Sequence, residues 1–394
     1  MTSIACPGFQ AAGVHAGLKN NGAKDLGLIF SDVPAHVAGV FTTNRVKAAP
    51  VLLDMERVKT GRCRAILVNS RNANCCTGDR GMQDALTMGQ AVSEALGLDE
   101  DDVLVASTGV IGTPLPIEKI ESAVPDLARS LTPQGFMDCA RAIMTTDTVP
   151  KLVHRQGALD GKNFHVTGLA KGSGMIAPNM ATMLCFVCTD IQAEPVILRS
   201  MLLKSVQNSL NSIIIDGDTS TNDTTLVLAN GLSGISLADS GCPQTFQTVL
   251  DEVLITLARE LVRDAEGATK MVKVSVKGAM TPEDARAVAE TVANSPLVKT
   301  AIFGEDANWG RIAAAAGRAG VLMDPGSLDI FFDDVQMVSN GLSCGAQTES
   351  AATAVLKQAE FSITIDLNAG SEEASVLTCD FSIDYVKINA DYRS

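Results

Sequence analysis

A run of small and polar residues between two apolar segments has the composition needed to cut its own backbone. It starts at residues 171–174 (Lys-Gly-Ser-Gly), passes through Pro178 and ends at Ala181 and Thr182. Pro178 excludes a continuing helix, and Thr182 opens a second apolar segment. A threonine hydroxyl is a weak nucleophile, but cleavage of the Ala181–Thr182 bond frees an α-amine that can act as its base. That amine has an ordinary pKa of about 8, so part of it is neutral at neutral pH. A threonine at the start of a strand is also a common structural feature, so other residues must decide between the two interpretations.

Two kinds of loop elsewhere in the chain could complete such a site. An apolar run at 103–106 leads into the loop 107–112 (Ser-Thr-Gly-Val-Ile-Gly), which can direct backbone N–H groups outward as an oxyanion hole requires. The hydroxyl-rich loops 145–151 and 219–223 are suited to hydrogen bonding with a small polar ligand. On sequence alone, a simple strand-to-helix turn explains the first loop better, and an ordinary solvated loop explains the loop 145–151 better.

Two other catalytic motifs fail on their context. Residues 341–345 match the nucleophile-elbow pattern G-x-S-x-G, but that triad needs a histidine after the serine, and the last histidine is His165. Residues 172–177 match a loose dinucleotide fingerprint, which needs a helix to begin there. Pro178 stands where that helix should extend. Neither a serine hydrolase nor a nucleotide site is expected.

The sequence also predicts no metal site and no cofactor. Cys185 and Cys188 form the one C-x-x-C pair of the chain. Residues three apart on a strand point to opposite faces, so we interpret both as core cysteines. Acidic pairs at 216 and 218 and at 305 and 306 are better explained as solvated loop carboxylates.

Composition narrows the class of protein. The 394 residues are 46% hydrophobic and 19% charged, with a net charge of −14. An acidic surface repels phosphate backbones, so we expect no nucleic-acid partner. No apolar run approaches the length of about 20 residues that spans a bilayer, and the first ten residues do not have the pattern of a signal peptide. Ten cysteines in this context are expected to be reduced thiols, which favours a cytoplasmic location.

Strand and helix patterns alternate along the chain without a long linker or repeat. Apolar periodicity predicts helices at 82–96, 117–131, 134–144, 195–210 and 246–263. Short apolar runs predict strands at 63–69, 183–187, 224–229, 271–276, 298–303, 361–367 and 375–388. The class is therefore mixed α/β, with large sheets covered by helices.

Several stretches in one order give the chain a resemblance to a known family. They are GFQAAG (8–13), AGVFTTN (38–44), STGVIG (107–112), MTTDT (144–148), AKGSGMIAPNMATML (170–184), DGDTSTND (216–223), RDAEGATK (263–270), NWGR (308–311) and the tail. With these, the chain resembles ornithine acetyltransferase (glutamate N-acetyltransferase) of arginine biosynthesis over essentially its whole length. One departure is Arg71, where glycine is commoner in the family. The fold implied is a layered sandwich of mixed sheets covered by helices, of the ornithine acetyltransferase and DmpA-like type.

The resemblance implies self-cleavage at Ala181–Thr182 into an α chain, 1–181, and a β chain, 182–394. Thr182 would then carry an acetyl group from N-acetylornithine to glutamate in a ping-pong cycle. Thr108 and Gly109 would form the oxyanion hole. The residues implied in substrate binding are Thr145, Lys171, Thr182, Glu266, Asn389 and Ser394. The last two would require the C-terminal tail to be ordered over the site.

The resemblance further implies an (αβ)2 assembly and no metal or cofactor, with acetyl-CoA as a possible second acetyl donor. Three alternatives remain at this point. A bifunctional enzyme would also acetylate glutamate from acetyl-CoA. A related N-terminal-nucleophile aminopeptidase or amidase would pass its acyl group to water. A binding protein without activity would leave Thr182 internal and unmodified.

Overall fold

The structure, a computed structural model, describes residues 5–159, 161–177, 183–239 and 243–391. Its strands are β1 Phe9–Val14, β2 Leu26–Phe41, β3 Arg62–Asn69, β4 Val103–Ser107, β5 Lys151–Leu159, β6 Lys162–Lys171, β7 Leu184–Thr189, β8 Ile213–Ile214, β9 Thr224–Ala229, β10 Met271–Ala279, β11 Asp329–Phe332, β12 Val335–Ser339, β13 Leu342–Ser343, β14 Glu360–Asp366 and β15 Glu372–Cys379. Its α-helices are α1 Ala49–Arg57, α2 Gly78–Leu96, α3 Ile117–Arg129, α4 Phe136–Ile143, α5 Pro195–Gln207, α6 Pro243–Arg263, α7 Pro282–Ala293, α8 Pro296–Phe303, α9 Trp309–Gly317, α10 Ala346–Leu356 and α11 Ile383–Ala390.

The chain divides into two compact units. The first comprises Met1–Asn211 and Asp218–Leu261, and the second comprises Ser212–Gly217 and Val262–Ser394. The predicted boundary between α and β chains, 181/182, does not coincide with this division. Because that boundary concerns one peptide bond and not a domain, it stays a prediction.

The first unit is built on a mixed sheet with the strand order β4-β3-β2-β9-β7-β6-β5, and β1 pairs with β2. The β3–β4 and β7–β9 pairs are parallel, and the other pairs are antiparallel. Alternate residues of β3 face opposite sides. Ile66 packs in the cluster that contains Phe136 of α4, and Leu67 packs with Met88 of α2 and Ile120 of α3. Helices therefore cover both faces of this sheet.

The second unit contains the sheet β13-β12-β11-β14-β10-β15-β8. Along β14 the residues alternate between buried and partly exposed, as expected for a strand with one face on the core. Val274 and Ile363 of this sheet join a cluster with Val288 of α7, Ile302 of α8 and Ala352 of α10. The predicted fold class, mixed sheets covered by helices, is confirmed. Among the described residues no helix is both long enough and apolar enough to cross a membrane.

Two predicted strands are wrong. Residues 298–303 form most of α8 because Pro296 occupies the first turn of a helix, where its missing N–H is tolerated. A run of six residues with four apolar ones does not by itself distinguish a strand from a helix. The run 375–388 divides: β15 ends at Cys379, and Ser382 then begins α11 by accepting hydrogen bonds from the N–H groups of Asp384 and Tyr385.

Candidate active site

The loop that follows β4 makes a turn that only glycine can make. Gly109 has a φ of +135°, and a Cβ atom there would lie 2.1 Å from the carbonyl carbon of Arg71. The N–H of Val110 donates to the Arg71 carbonyl (3.0 Å), and the N–H of Thr108 donates to Asn69 (3.0 Å). Since the backbone N–H of Thr108 is occupied, its hydroxyl is the donor that it can offer to a ligand.

Buried asparagines fix this turn from behind. Asn222 Nδ2 donates to the carbonyls of Ala73 (2.6 Å) and Ser107 (2.8 Å). Ser107 Oγ donates to Asn69 Oδ1 (2.6 Å), and Asn69 Nδ2 donates to the carbonyl of Asn72 (2.9 Å). These side chains have little or no exposure to solvent. Three separate loops are thus joined by satisfied hydrogen bonds, which hold a turn in place better than packing alone.

Asp147 lies at the centre of a second group of contacts. Its carboxylate accepts hydrogen bonds from the N–H of Thr145 (3.0 Å) and the N–H of Gly172 (2.7 Å). Lys151 Nζ lies 2.7 Å from Asp147 Oδ1, and both side chains are buried. Burial alone would raise the pKa of Asp147, but the positive charges of Lys171 and Lys151 outweigh it and hold that pKa at about 2. Asp147 is therefore ionised at any physiological pH.

Lys171 connects the two groups. It ends β6, is 4% exposed, and its Nζ donates to Thr108 Oγ1 at 3.3 Å. A buried ammonium beside a hydroxyl donor suits an anion better than a neutral ligand. The segment after Lys171 contacts the Asp147 loop at two points. Gly172 bonds to Asp147, and Ser173 Oγ lies 2.6 Å from Thr146 Oγ1.

The chain on the far side of the predicted cleavage bond is also fixed. The N–H of Met183 donates to Asp223 Oδ1 (2.8 Å), and the N–H of Thr224 donates to the carbonyl of Met183 (3.2 Å). Asp223 is 1% exposed. Met183 therefore continues the pairing of β7 with β9 by one residue.

Glu266 and Asn389 meet in the second unit. Asn389 Nδ2, on α11, donates to Glu266 Oε2 (2.8 Å) and to the carbonyl of Tyr385 (3.0 Å). Ser382 Oγ donates to the carbonyl of Gly267 (2.6 Å) and accepts the first N–H groups of α11. The start of this C-terminal helix is thus anchored beside Glu266.

The structure places the predicted site residues as follows. In the first unit Thr108 contacts Lys171 directly, and Asp147 joins Thr145 to Gly172, the residue after Lys171. In the second unit Glu266 and Asn389 are hydrogen bonded. Ala181, Thr182 and Ser394 lie outside the described residues. Gly109 lies in the turn beside Thr108.

Four polar residues that organise these loops were missed by the sequence reasoning: Asp147, Lys151, Asn222 and Asp223. All four belong to the hydroxyl-rich loops already identified as candidate ligand sites, and Lys151 is the last residue of its loop. The polarity of those loops was visible, but the burial of these side chains depends on contacts with distant segments.

The C-x-x-C cysteines lie in the core, as predicted. Cys185 and Cys188 of β7 are fully buried, and burial raises the pKa of the Cys185 thiol to about 12. Burial also raises the pKa of Cys188 well above its ordinary value. Such thiols are unreactive at neutral pH. In the part of the chain that the structure describes, no group of three or more His, Cys, Asp or Glu side chains is placed to hold a metal ion.

Comparison with known proteins now adds to this geometry. The arginine biosynthesis bifunctional protein ArgJ of Geobacter sulfurreducens is 52% identical over 389 residues, covering 98% of this chain and 99% of that protein. The protein of the same name from Syntrophotalea carbinolica is also 52% identical with the same coverage. The crystal structure of the Bacillus halodurans arginine biosynthesis bifunctional protein ArgJ matches with 44% identity and a TM-score of 0.42, over 45% of this chain and 92% of that one.

These relatives share nearly their whole length with this protein. The profile of the ArgJ family matches residues 10–394. The chain belongs to the ArgJ family, and the resemblance inferred from its sequence is confirmed.

Proposed function

We propose that this chain transfers an acetyl group from N-acetylornithine to glutamate through an acetyl-Thr182 intermediate. It is an acyltransferase of arginine biosynthesis that acts on small-molecule substrates. The contact between Lys171 Nζ and Thr108 Oγ1 is the observation that carries the mechanism. In an N-acetyl amino acid, the carboxylate carbon is bonded directly to Cα. The acetyl carbonyl carbon is attached to the same Cα through the nitrogen atom. A buried cation beside a hydroxyl donor matches that spacing.

The first half-reaction forms the acyl-enzyme. The Thr182 hydroxyl attacks the acetyl carbonyl of N-acetylornithine while the Thr182 α-amine takes up its proton. The Thr108 hydroxyl and the Gly109 N–H stabilise the negative oxygen of the tetrahedral intermediate. The carbon–nitrogen bond then breaks, the proton passes to the departing amine, and ornithine leaves.

The second half-reaction reverses these steps with a new amine. The α-amine of glutamate attacks the acetyl ester, and N-acetylglutamate leaves as Thr182 regains its proton. Both substrates share an α-amino acid core, so one pocket can serve both. Lys171 binds the α-carboxylate, Glu266 orients an amine, and Thr145, Thr182, Asn389 and Ser394 contribute further contacts.

Self-cleavage uses the same hydroxyl and the same oxyanion donors, but not the α-amine, which only the cut sets free. In the intact chain the Thr182 hydroxyl attacks the Ala181 carbonyl, an N-to-O shift gives an ester, and water hydrolyses it. The products are chains 1–181 and 182–394. We further propose that they stay associated as (αβ)2 in the cytoplasm.

A second activity is favoured by the names of the relatives, which describe those proteins as bifunctional. We propose that acetyl-CoA can also acetylate Thr182, after which glutamate accepts the group as before.

The test is the intact mass of the purified protein before and after brief exposure to N-acetylornithine. Two fragments that break at Ala181–Thr182, with one acetyl group gained by the C-terminal fragment, are expected. Thr182→Ala should stay uncut and unacetylated, whereas Thr248→Ala, which replaces an exposed threonine of α6 outside the proposed site, should behave as the wild type. Repeating the exposure with acetyl-CoA tests the second activity.

Three outcomes would contradict the proposal. One unbroken mass without an adduct would mean that Thr182 is structural. Cutting at the same bond in Thr182→Ala would exclude its hydroxyl as the nucleophile. An acetyl adduct that is lost to water as fast as to glutamate would favour the amidase alternative.

A further inference from the structure

Two buried aspartates hold the chain on either side of the predicted cleavage bond. Asp147 accepts the N–H of Gly172 (2.7 Å), and Asp223 accepts the N–H of Met183 (2.8 Å). Asp147 is 8% exposed and Asp223 is 1% exposed. Both bonds go from a backbone N–H to a carboxylate, which makes them stronger than bonds between neutral groups.

Each aspartate is itself fixed by the fold. Asp147 is held by Lys151 and by the N–H of Thr145. The backbone of Asp223 accepts the N–H of Thr42 (3.0 Å), which follows β2. The two anchors therefore belong to different loops and do not depend on the Ala181–Thr182 bond.

Their positions give them different tasks. Asp147 contacts the segment that starts at Lys171, where we place the substrate carboxylate. Asp223 holds Met183, and the Cα atom of Thr182 is one peptide unit, about 3.8 Å, from that of Met183. One anchor thus bears on substrate binding and the other on the nucleophile.

We propose that Asp147 and Asp223 form an aspartate clamp, which fixes the backbone at Gly172, before the predicted cleavage bond, and at Met183, directly after Thr182. They are positioning residues: Asp147 orients Lys171 for the substrate, and Asp223 orients Thr182 for attack. This inference rests on the function proposed above. It predicts that loss of Asp223 affects the chemical step and that loss of Asp147 affects substrate affinity.

The experiment compares Asp223→Ala, Asp223→Asn and Asp147→Asn in the full chain. Self-cleavage is followed by intact mass, kcat and KM are measured for both substrates, and Tm reports folding. Asp223→Ala should slow self-cleavage and lower kcat about tenfold to a hundredfold, with KM nearly unchanged. Asp223→Asn should recover much of that loss, because the amide oxygen can still accept the Met183 N–H. Asp147→Asn should raise KM for both substrates about tenfold, because a charged hydrogen-bond acceptor is lost.

The matched control is Asp190→Asn. Asp190 is also buried, and it accepts the N–H of His165 (2.7 Å), six residues before Lys171 on β6. The Asp190→Asn variant should lower Tm without a selective change in either kcat or KM. If Asp223→Ala does not fold, Asp223→Asn alone tests the role of Asp223. If Asp147→Asn does not fold, Ser173→Ala replaces it. Ser173→Ala removes the second tie to the Asp147 loop and should raise KM by a smaller factor.

The inference fails if the clamp variants and Asp190→Asn change kcat, KM and Tm in the same proportion. A wild-type protein that never forms an acetyl adduct would instead refute the proposed function. The two failures are therefore distinguishable.

Discussion

Gly109 turns the chain at the end of β4 with a φ of +135°, a conformation that side-chain-bearing residues rarely adopt. The space is also closed, because an added Cβ would overlap the backbone of Arg71 and Asn72. Both restrictions fall on the turn that we assign to the oxyanion hole. The identity of this residue is therefore fixed by geometry as well as by its role.

Gly109→Ala should lower kcat and slow self-cleavage by about tenfold or more, because the strain of about 1–3 kcal/mol must be relieved by moving the turn. The matched control is Gly112→Ala on the same loop, which also has a positive φ, +81°, but has no atom within 4 Å of an added Cβ. Steady-state kinetics and thermal unfolding of both variants test this. Equal losses of kcat in the two would show that the turn at Gly109 has no special role.

For single residues, the sequence indicated which loops could hold a ligand but not which side chains contact one another. The composition of the loop 107–112 made it a candidate, but the roles of Thr108 and Gly109 came from the resemblance to the family. Asp147 was not found, because its importance comes from Gly172, which lies 25 residues later in the chain. Its burial decides its role, and burial of a loop carboxylate has no local sequence pattern.

Helix α11 shows how an element presents one predicted site residue. Ser382 Oγ caps its N-terminus and also donates to Gly267, so one hydroxyl joins the helix to the segment that holds Glu266. At the other end of the helix, Asn389 donates to Glu266. The element is short, at eight residues, and depends on such ties, because helices of this length are unstable alone.

Ser382→Ala should lower the free energy of unfolding by about 1 kcal/mol, the usual contribution of such a cap. It should also raise KM for N-acetylornithine and glutamate, since α11 carries Asn389. Thr281→Ala removes a comparable cap, from α7, which carries no predicted site residue. Chemical denaturation and kinetics of the two variants should show similar losses of stability but a KM change in Ser382→Ala alone. An unchanged KM in both would argue against a role for α11 in substrate binding.

The sequence located α11 incorrectly for a physical reason. Alternating apolar residues continue from β15 past Cys379, and only the cap at Ser382 marks the change of element. The apolar run of α8 misled in the same way. The long amphipathic helices and the strands 63–69 and 224–229 were predicted well, because their patterns persist over more residues.

At the scale of the molecule, the two predicted chains share one sheet. In the first unit β6, from the α chain, pairs with β7, from the β chain, over six residue pairs. β2 and β9 also pair across the two chains, with six more. The strand order β2-β9-β7-β6 places two strands of the β chain between two strands of the α chain. The sequence predicted β7 and β9 but not the order of the strands, because strand pairing at long range leaves no local signal.

After self-cleavage the two fragments should stay together under native conditions and separate only in denaturant. Size-exclusion chromatography followed by mass analysis, with and without guanidinium, measures this directly. Ladder hydrogen bonds and the apolar core on both sides of these strands hold the chains together. Fragments that elute separately in native buffer would contradict the shared sheet.

This interleaving also sets an order of events in time. Until β2, β9, β7 and β6 have assembled, Met183, the residue after Thr182, has no neighbouring strand to fix it. On the proposed mechanism, folding must therefore come first and scission second, so that the covalent link directs assembly before it is cut. The uncut chain would then be a precursor that brings its own two segments together, and each αβ unit would consist of one α and one β segment from the same chain.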